Sequence, residues 1–174
     1  FTINKANATI TVNSDSKVYN GLNQNFEFTV TGLVNNETKD VLTGLTGTSS
    51  SGKDVGVYNT ALAGTDTNYN LTFNQGSLEI TKADATVKGN SSTKTYDGTT
   101  QSVNGFTVNG LVGDDTADML TGVSGTSASG KDAGEYSTNL SGTDTNYNLT
   151  FEDGKLTITK ASLTATLNDN AKTY

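Results

Sequence analysis

The chain repeats itself. Ser51-Gly52-Lys53-Asp54-Val55-Gly56-Val57-Tyr58, Gly64 to Phe73 and Leu78 to Ala83 recur as Ser129 to Tyr136, Gly142 to Phe151 and Leu156 to Ala161. Aligning the Ile-x-Lys-Ala tags at Ile3, Ile80 and Ile158 gives offsets of 77 (3 to 80) and 78 (80 to 158). Lys17-Val18-Tyr19-Asn20-Gly21 matches Lys94-Thr95-Tyr96-Asp97-Gly98, and Lys172-Thr173-Tyr174 opens a third copy. The extra residue of the second copy falls between Gly98 and Asn109, where a loop would absorb it. A unit this long exceeds the roughly 20–45 residues of a solenoid repeat, so each copy is expected to form a small domain of its own. The expected boundaries are 1–83 and 84–161, with 162–174 the start of a third copy.

Within a copy the apolar period is two. Ala8, Ile10 and Val12 alternate with polar residues, as do Phe26, Phe28 and Val30, then Tyr58, Thr60 and Leu62, then Tyr69, Leu71 and Phe73, then Leu78 and Ile80. Such alternation marks strands with one face buried and one wet. Gly and Asn clusters between the runs suit an antiparallel β domain. The expected fold is therefore all-β: two tandem small antiparallel domains, an Ig-like sandwich favoured and a β-grasp-like fold the alternative. Only Asp114 to Leu120, matched by Asn36 to Leu42, has the acidic start and composition for a short helix of at most two turns.

The local motif Asp54-x-Gly56-x-Tyr58, repeated as Asp132-x-Gly134-x-Tyr136, reads as a turn that opens a late strand. Its tyrosine hydroxyl is expected to bond back to loop backbone, as in a tyrosine corner. Asp66 with Asn68, and Asp144 with Asn146, read as Asx turns.

Composition narrows the chemistry. The 174 residues include no Cys, His, Pro or Trp, and 19 Gly. Turns must then rest on Gly, Asn and Asp. Without Cys or His, disulfides and the commonest general base and transition-metal ligands are excluded. Eleven basic residues, all of them Lys, face 18 acids for a net charge of −7. That balance argues against a nucleic-acid groove or an anionic membrane surface as partner. No apolar run reaches the roughly 20 residues of a membrane-spanning helix, and no signal peptide is visible, so the sequence reads as a soluble internal fragment. No enzyme is expected, because no pair of acids stands apart from the turn chemistry.

Three constellations remain. Asp114, Asp115 and Asp118, matched by Asn36, Glu37 and Asp40, are read first as solvated, helix-capping acids and second as Ca²⁺ ligands. No other cofactor is expected. Tyr19, Tyr96 and Tyr174 lie in a turn motif where a hydroxyl could meet a sugar, although a core-edge position is the simpler reading. An internal Lys–Asn bond would need a buried acid beside Lys5, Lys82, Lys160, Lys17 or Lys94, and no Glu position recurs between the copies.

Lys94-x-Tyr96-Asp97-Gly98, Gly-Lys-Asp-x-Gly-x-Tyr, Asn-Tyr-x-Leu-Thr-Phe and the closing Gly-x-Leu-x-Ile-Thr-Lys-Ala resemble the MBG and YDG repeats, mostly β and glycine-rich, of large bacterial surface proteins. The likeness covers essentially the whole chain. It implies an extracellular, repeated module at a bacterial surface, anchored to the cell wall through another part of the protein, and brings no catalytic residues. Tyr19-Asn20-Gly21 departs from the pattern by lacking the Asp, so that Asp is not a required functional group.

The junction carries the functional expectation. Leu78 to Val87 holds no Gly, Pro or Ser cluster, so one copy should run almost directly into the next and form an extended rod. The expected role is a spacer or stalk of a cell-surface adhesin, whose partners are neighbouring repeats. The alternative is an adhesive module for host or environmental glycans, mucin or matrix protein. The tail from Ser162, with Leu163, Ala165 and Leu167 alternating, is expected to form a strand packed on the second copy or on a neighbouring molecule.

Overall fold

The computed structural model describes residues 1–48, 51–169 and 171–174. It is almost entirely β. In the first copy the strand Ala6–Val12 lies between Phe28–Thr31 and Tyr69–Asn74. A second sheet places Ser77–Thr81 between Asp15–Val18 and Gly56–Asn59. The second copy repeats both: Ala83–Gly89 between Phe106–Asn109 and Tyr147–Glu152, and Lys155–Thr159 between Ser92–Thr95 and Gly134–Ser137.

Alternation does what the sequence implies. Ala8, Ile10 and Val12 are buried along Ala6–Val12, as Ala83, Ala85 and Val87 are along Ala83–Gly89. Leu78, Ile80, Leu156 and Ile158 are buried in the closing strands. Around Ile10 the core takes in Leu42, Leu62 and Tyr69, with Phe26, Phe28 and Val30 packed on its edge. Around Leu156 and Ile158 it takes in Val103, Ala128 and the ring of Tyr136.

The sheets are mixed, which corrects the antiparallel expectation. Ala6–Val12 pairs in parallel with Tyr69–Asn74, in register from Ala6↔Tyr69 to Thr11↔Asn74. Asp15–Val18 and Ser77–Thr81 are parallel as well, as are Ser92–Thr95 and Lys155–Thr159. A parallel pair needs a long crossover, which the rest of the repeat supplies. Alternation reports which face is buried and carries no strand direction. Where a short helix was expected, each copy makes a single 3-10 turn, Lys39–Val41 and Ala117–Met119, with no side-chain cap at Thr38 or Thr116. Without a cap or a buried stripe the turn does not propagate.

Most buried polar side chains are matched, Gln101 Oε1 being the exception among the described residues. Thr60 Oγ1 meets Gln75 Oε1 at 3.0 Å and accepts from the Gly76 N–H at 2.9 Å. Thr138, fully buried, donates to Asp153 Oδ1 at 3.2 Å and accepts from the Gly154 N–H at 2.7 Å. Asp153 also takes the Leu140 N–H at 2.7 Å, the place that Gln75 fills for Leu62 at 2.8 Å.

The tail from Ser162 forms no strand among its described residues, and Leu163 and Leu167 are 95% and 94% exposed. That corrects the expected strand and its packing on the second copy. The strand Ala6–Val12, to which this segment corresponds, is held on both sides by strands of its own copy. Among the described residues no strand pairs with the tail.

By contacts the chain divides into two compact units, and these are not the two copies. One comprises 1–85, 109–122 and 143–150; the other comprises 86–108, 123–142 and 151–174. The first unit therefore contains the whole of the first copy together with two loop-bearing segments of the next.

Candidate functional site

Those two loops meet the turn Tyr19-Asn20-Gly21. The chain enters the turn from Asp15–Val18, where the Tyr19 N–H donates to the Thr81 carbonyl at 2.8 Å. Tyr19 thus sits beside the last residue of the closing strand. The Asn20 side chain accepts the Leu22 N–H at 3.0 Å, and Gly21 takes a positive φ of 76°. An added Cβ on Gly21 would stand 3.3 Å from the Gly113 Cα and from the Val112 carbonyl oxygen, so the two turns press together backbone to backbone.

Tyr19 is 3% exposed. Its ring meets that of Tyr147 edge to face, with centroids 5.4 Å apart and planes at 81°. Its hydroxyl donates to Asp115 Oδ2 at 2.8 Å, and the Tyr147 hydroxyl donates to the same oxygen at 2.7 Å while accepting the Val112 N–H at 3.0 Å. Burial, reinforced by the bond to Asp115, raises the pKa of the Tyr19 phenol, and the same causes push Tyr147 up to about 12.

The closing strand is fastened to the second loop. Lys82 Nζ donates to the Asp144 carbonyl at 2.5 Å, and the Ala83 N–H to the Asn146 carbonyl at 3.0 Å. The Asn146 side chain accepts the Val55 N–H at 2.9 Å and donates to Asp54 Oδ1 at 3.0 Å. Asp144 shapes this loop as an Asx turn, its Oδ1 accepting the Asn146 and Tyr147 N–H groups at 2.8 and 3.0 Å. Asp66 does the same for Asn68 and Tyr69 at 2.7 and 3.0 Å.

The remaining residues singled out from sequence fall as follows. Tyr58 donates to the Asp54 carbonyl at 2.8 Å, and Tyr136 to the Asp132 carbonyl at 3.0 Å. Each ring lies over a glycine, Gly52 or Gly130, at a place that a Cβ would occupy. Gly56 and Gly134 start the strands that carry the two tyrosines. Tyr19 is closed to any ligand, because its hydroxyl and ring are already taken. Tyr96, its counterpart, is 39% exposed.

Asp115 Oδ2 is engaged by two tyrosine hydroxyls, and no group of three or more acids is drawn together as an ion cage among the described residues, Asp114 and Asp118 included. Lys17, Lys82 and Lys94 each donate to a main-chain carbonyl, as does Lys5 to that of Asp66.

Sequence reasoning missed the Tyr19–Asp115–Tyr147 cluster. Its one visible trace was an acid at the same place in both copies, Glu37 and Asp115.

No curated protein matches the chain, and no solved structure does. The sequence profile of the MBG domain (YGX type) matches residues 8–79 and again 85–157. The two matches take in most of the chain; the first contains Tyr19, and the second contains Asp115, Tyr147 and the Asp144 turn that meet it. The chain belongs to the MBG domain family, as two tandem copies of the YGX type.

Proposed function

We propose that these repeats are spacers in a bacterial cell-surface adhesin, setting a distal binding region away from the cell. MBG domains occur in extracellular surface proteins and form a non-catalytic repeat family, and no described helix is long and apolar enough to cross a membrane. The observation that carries the reading is the joint. Its side chains are spent on fastening one copy to the next, through Tyr19, Asp115 and Tyr147 on one side and Lys82 and Asn146 on the other. A spacer needs that kind of joint and no ligand chemistry. The acidic surface also suits a segment that must avoid sticking to anionic cell envelopes.

The test is to present the 174-residue chain to glycan, mucin and matrix-protein arrays and to measure its scattering in solution. A spacer binds nothing above background and gives a narrow distribution of dimensions. Saturable binding to one ligand class would replace this reading with that of an adhesive module.

A further inference from the structure

The turn that builds the joint occurs twice, and only one copy of it is occupied. At Tyr96-Asp97-Gly98 the backbone is set as at Tyr19: the Tyr96 N–H donates to the Thr159 carbonyl at 2.8 Å, as Tyr19 does to Thr81. Asp97 accepts the Thr99 N–H at 2.8 Å, as Asn20 accepts that of Leu22, and Gly98 takes a φ of 80°. The differences lie outside the turn. Where a Cβ on Gly21 would meet Gly113, one on Gly98 would meet nothing within 4 Å. The Tyr96 hydroxyl has no hydrogen-bond partner among the described residues, and its ring lines an open groove with Ala133, Lys160, Ala161 and Leu163. Ala133, Lys160 and Ala161 are the counterparts of Val55, Lys82 and Ala83, which in the first copy touch the Asn146 loop.

The receiving half of the same contact recurs in the first copy. The Tyr69 hydroxyl donates to Glu37 and accepts the Val34 N–H at 3.1 Å, as Tyr147 does with Asp115 and Val112. Among the described residues no tyrosine corresponding to Tyr19 reaches that carboxylate.

We propose that the Tyr96-Asp97-Gly98 face is a docking site for a third MBG repeat continuing from Ala161, which would place its own carboxylate and tyrosine on Tyr96 as Asp115 and Tyr147 are placed on Tyr19. Ser162 to Tyr174 already begins such a copy, ending in the Lys-Thr-Tyr of the turn. The lock is general. Each repeat carries both a tyrosine turn and a tyrosine–carboxylate pair, and the turn of one repeat takes the pair of the repeat that follows it. This rests on the tandem architecture and stands whether or not the repeats serve as spacers.

The test compares the 174-residue chain with one in which a full copy of residues 84–161, its own turn tyrosine changed to Phe, follows Ala161. Both are treated with tetranitromethane, and nitrated tyrosines are mapped by mass spectrometry. In the shorter chain Tyr96 reacts readily and Tyr19 is protected. In the longer chain Tyr96 becomes as protected as Tyr19, and Asp→Ala at the added copy's counterpart of Asp115 restores its reactivity. Tyr136, bonded within its own copy, serves as the internal standard in each. Equal nitration of Tyr96 in the two chains overturns the proposal. Should the added copy not fold there, one joined ahead of Ala6 tests the same contact: its turn tyrosine is protected, and Glu37→Ala exposes it. Failure of that protection in a folded chain overturns the proposal equally.

Discussion

The Tyr19 hydroxyl donates to Asp115 Oδ2 at 2.8 Å across 96 positions of sequence, and Tyr147 shares the same oxygen at 2.7 Å. One carboxylate thus satisfies two buried phenols drawn from different copies. Removing it strands both, whereas removing either phenol strands little. Asp115→Ala should therefore cost more than Tyr19→Phe: about 2–3 kcal/mol against about 1 kcal/mol, on the usual scale for a lost acceptor and a lost net hydrogen bond. Thermal melts of the two variants check the order. A larger loss for Tyr19→Phe would mean that Asp115 is not the shared acceptor.

High pH should loosen the same cluster. The Tyr147 phenol is pushed up to about 12 from an ordinary 10.0 by burial and its bond to Asp115, and that of Tyr19 is raised for the same reasons. A raised folded pKa means that the folded state holds its proton longer than the unfolded one. The stabilisation is fully present below pH 10 and is lost as pH climbs toward 12. Chemical denaturation at a series of pH values, beside a phenolate absorbance titration, should show stability falling in that window. In Asp115→Asn the fall should shrink.

At low pH the relevant group is Asp97. The Thr99 N–H and hydroxyl donate to its carboxylate and hold its pKa below the ordinary value. Its contribution is present above the ordinary carboxylate pKa and disappears as pH falls through the lowered one. Asp97→Asn should leave stability near neutral pH almost unchanged, because Asn20 accepts the same kind of turn bond in the first copy. An amide titration by NMR reports the Thr99 N–H directly.

Gly130 lies beneath the ring of Tyr136, where an added methyl would collide with the ring carbons. Gly130→Ala should destabilise the second copy by about 1–3 kcal/mol, the range for overpacking. Gly98→Ala meets no neighbour, so its cost should come from its positive φ alone. Parallel melts of the two variants separate crowding from backbone strain.

Leu156 is fully buried, and the core around it holds few other large side chains. Leu156→Ala should cost about 2–5 kcal/mol, and its counterpart Leu78→Ala a similar amount. Urea denaturation with an unchanged m-value is the expected signature.

Local features were legible in the sequence because their causes are local. Period-two alternation placed Ala6–Val12, Tyr69–Asn74 and Ser77–Thr81, although Phe26, Thr60 and Leu62 of the other alternating sets lie outside strands. Asp54-x-Gly56-x-Tyr58 gave the backward bond of Tyr58, and Asp66 and Asp144 gave their Asx turns. The joint was not legible. Nothing in the spacing of Tyr19 and Asp115 says that they meet, and Asp115 stands among Asp114 and Asp118, where acid density suggests solvent or an ion. Strand direction was hidden for a related reason: Ala6–Val12 alternates in the same way whichever way its partner runs.

The parallel pairing of Ala6–Val12 with Tyr69–Asn74 has a mechanical consequence. Tension on a surface-tethered chain would pull the first of these strands by its leading end and the second by its trailing end. Two parallel strands drawn that way slide along each other, so their cross-bonds share the force instead of parting one by one. The same holds for Asp15–Val18 with Ser77–Thr81. Stretching single molecules from the two ends should therefore unfold a repeat in one high-force step. Gradual yielding at low force would show that the pairing does not bear the tension.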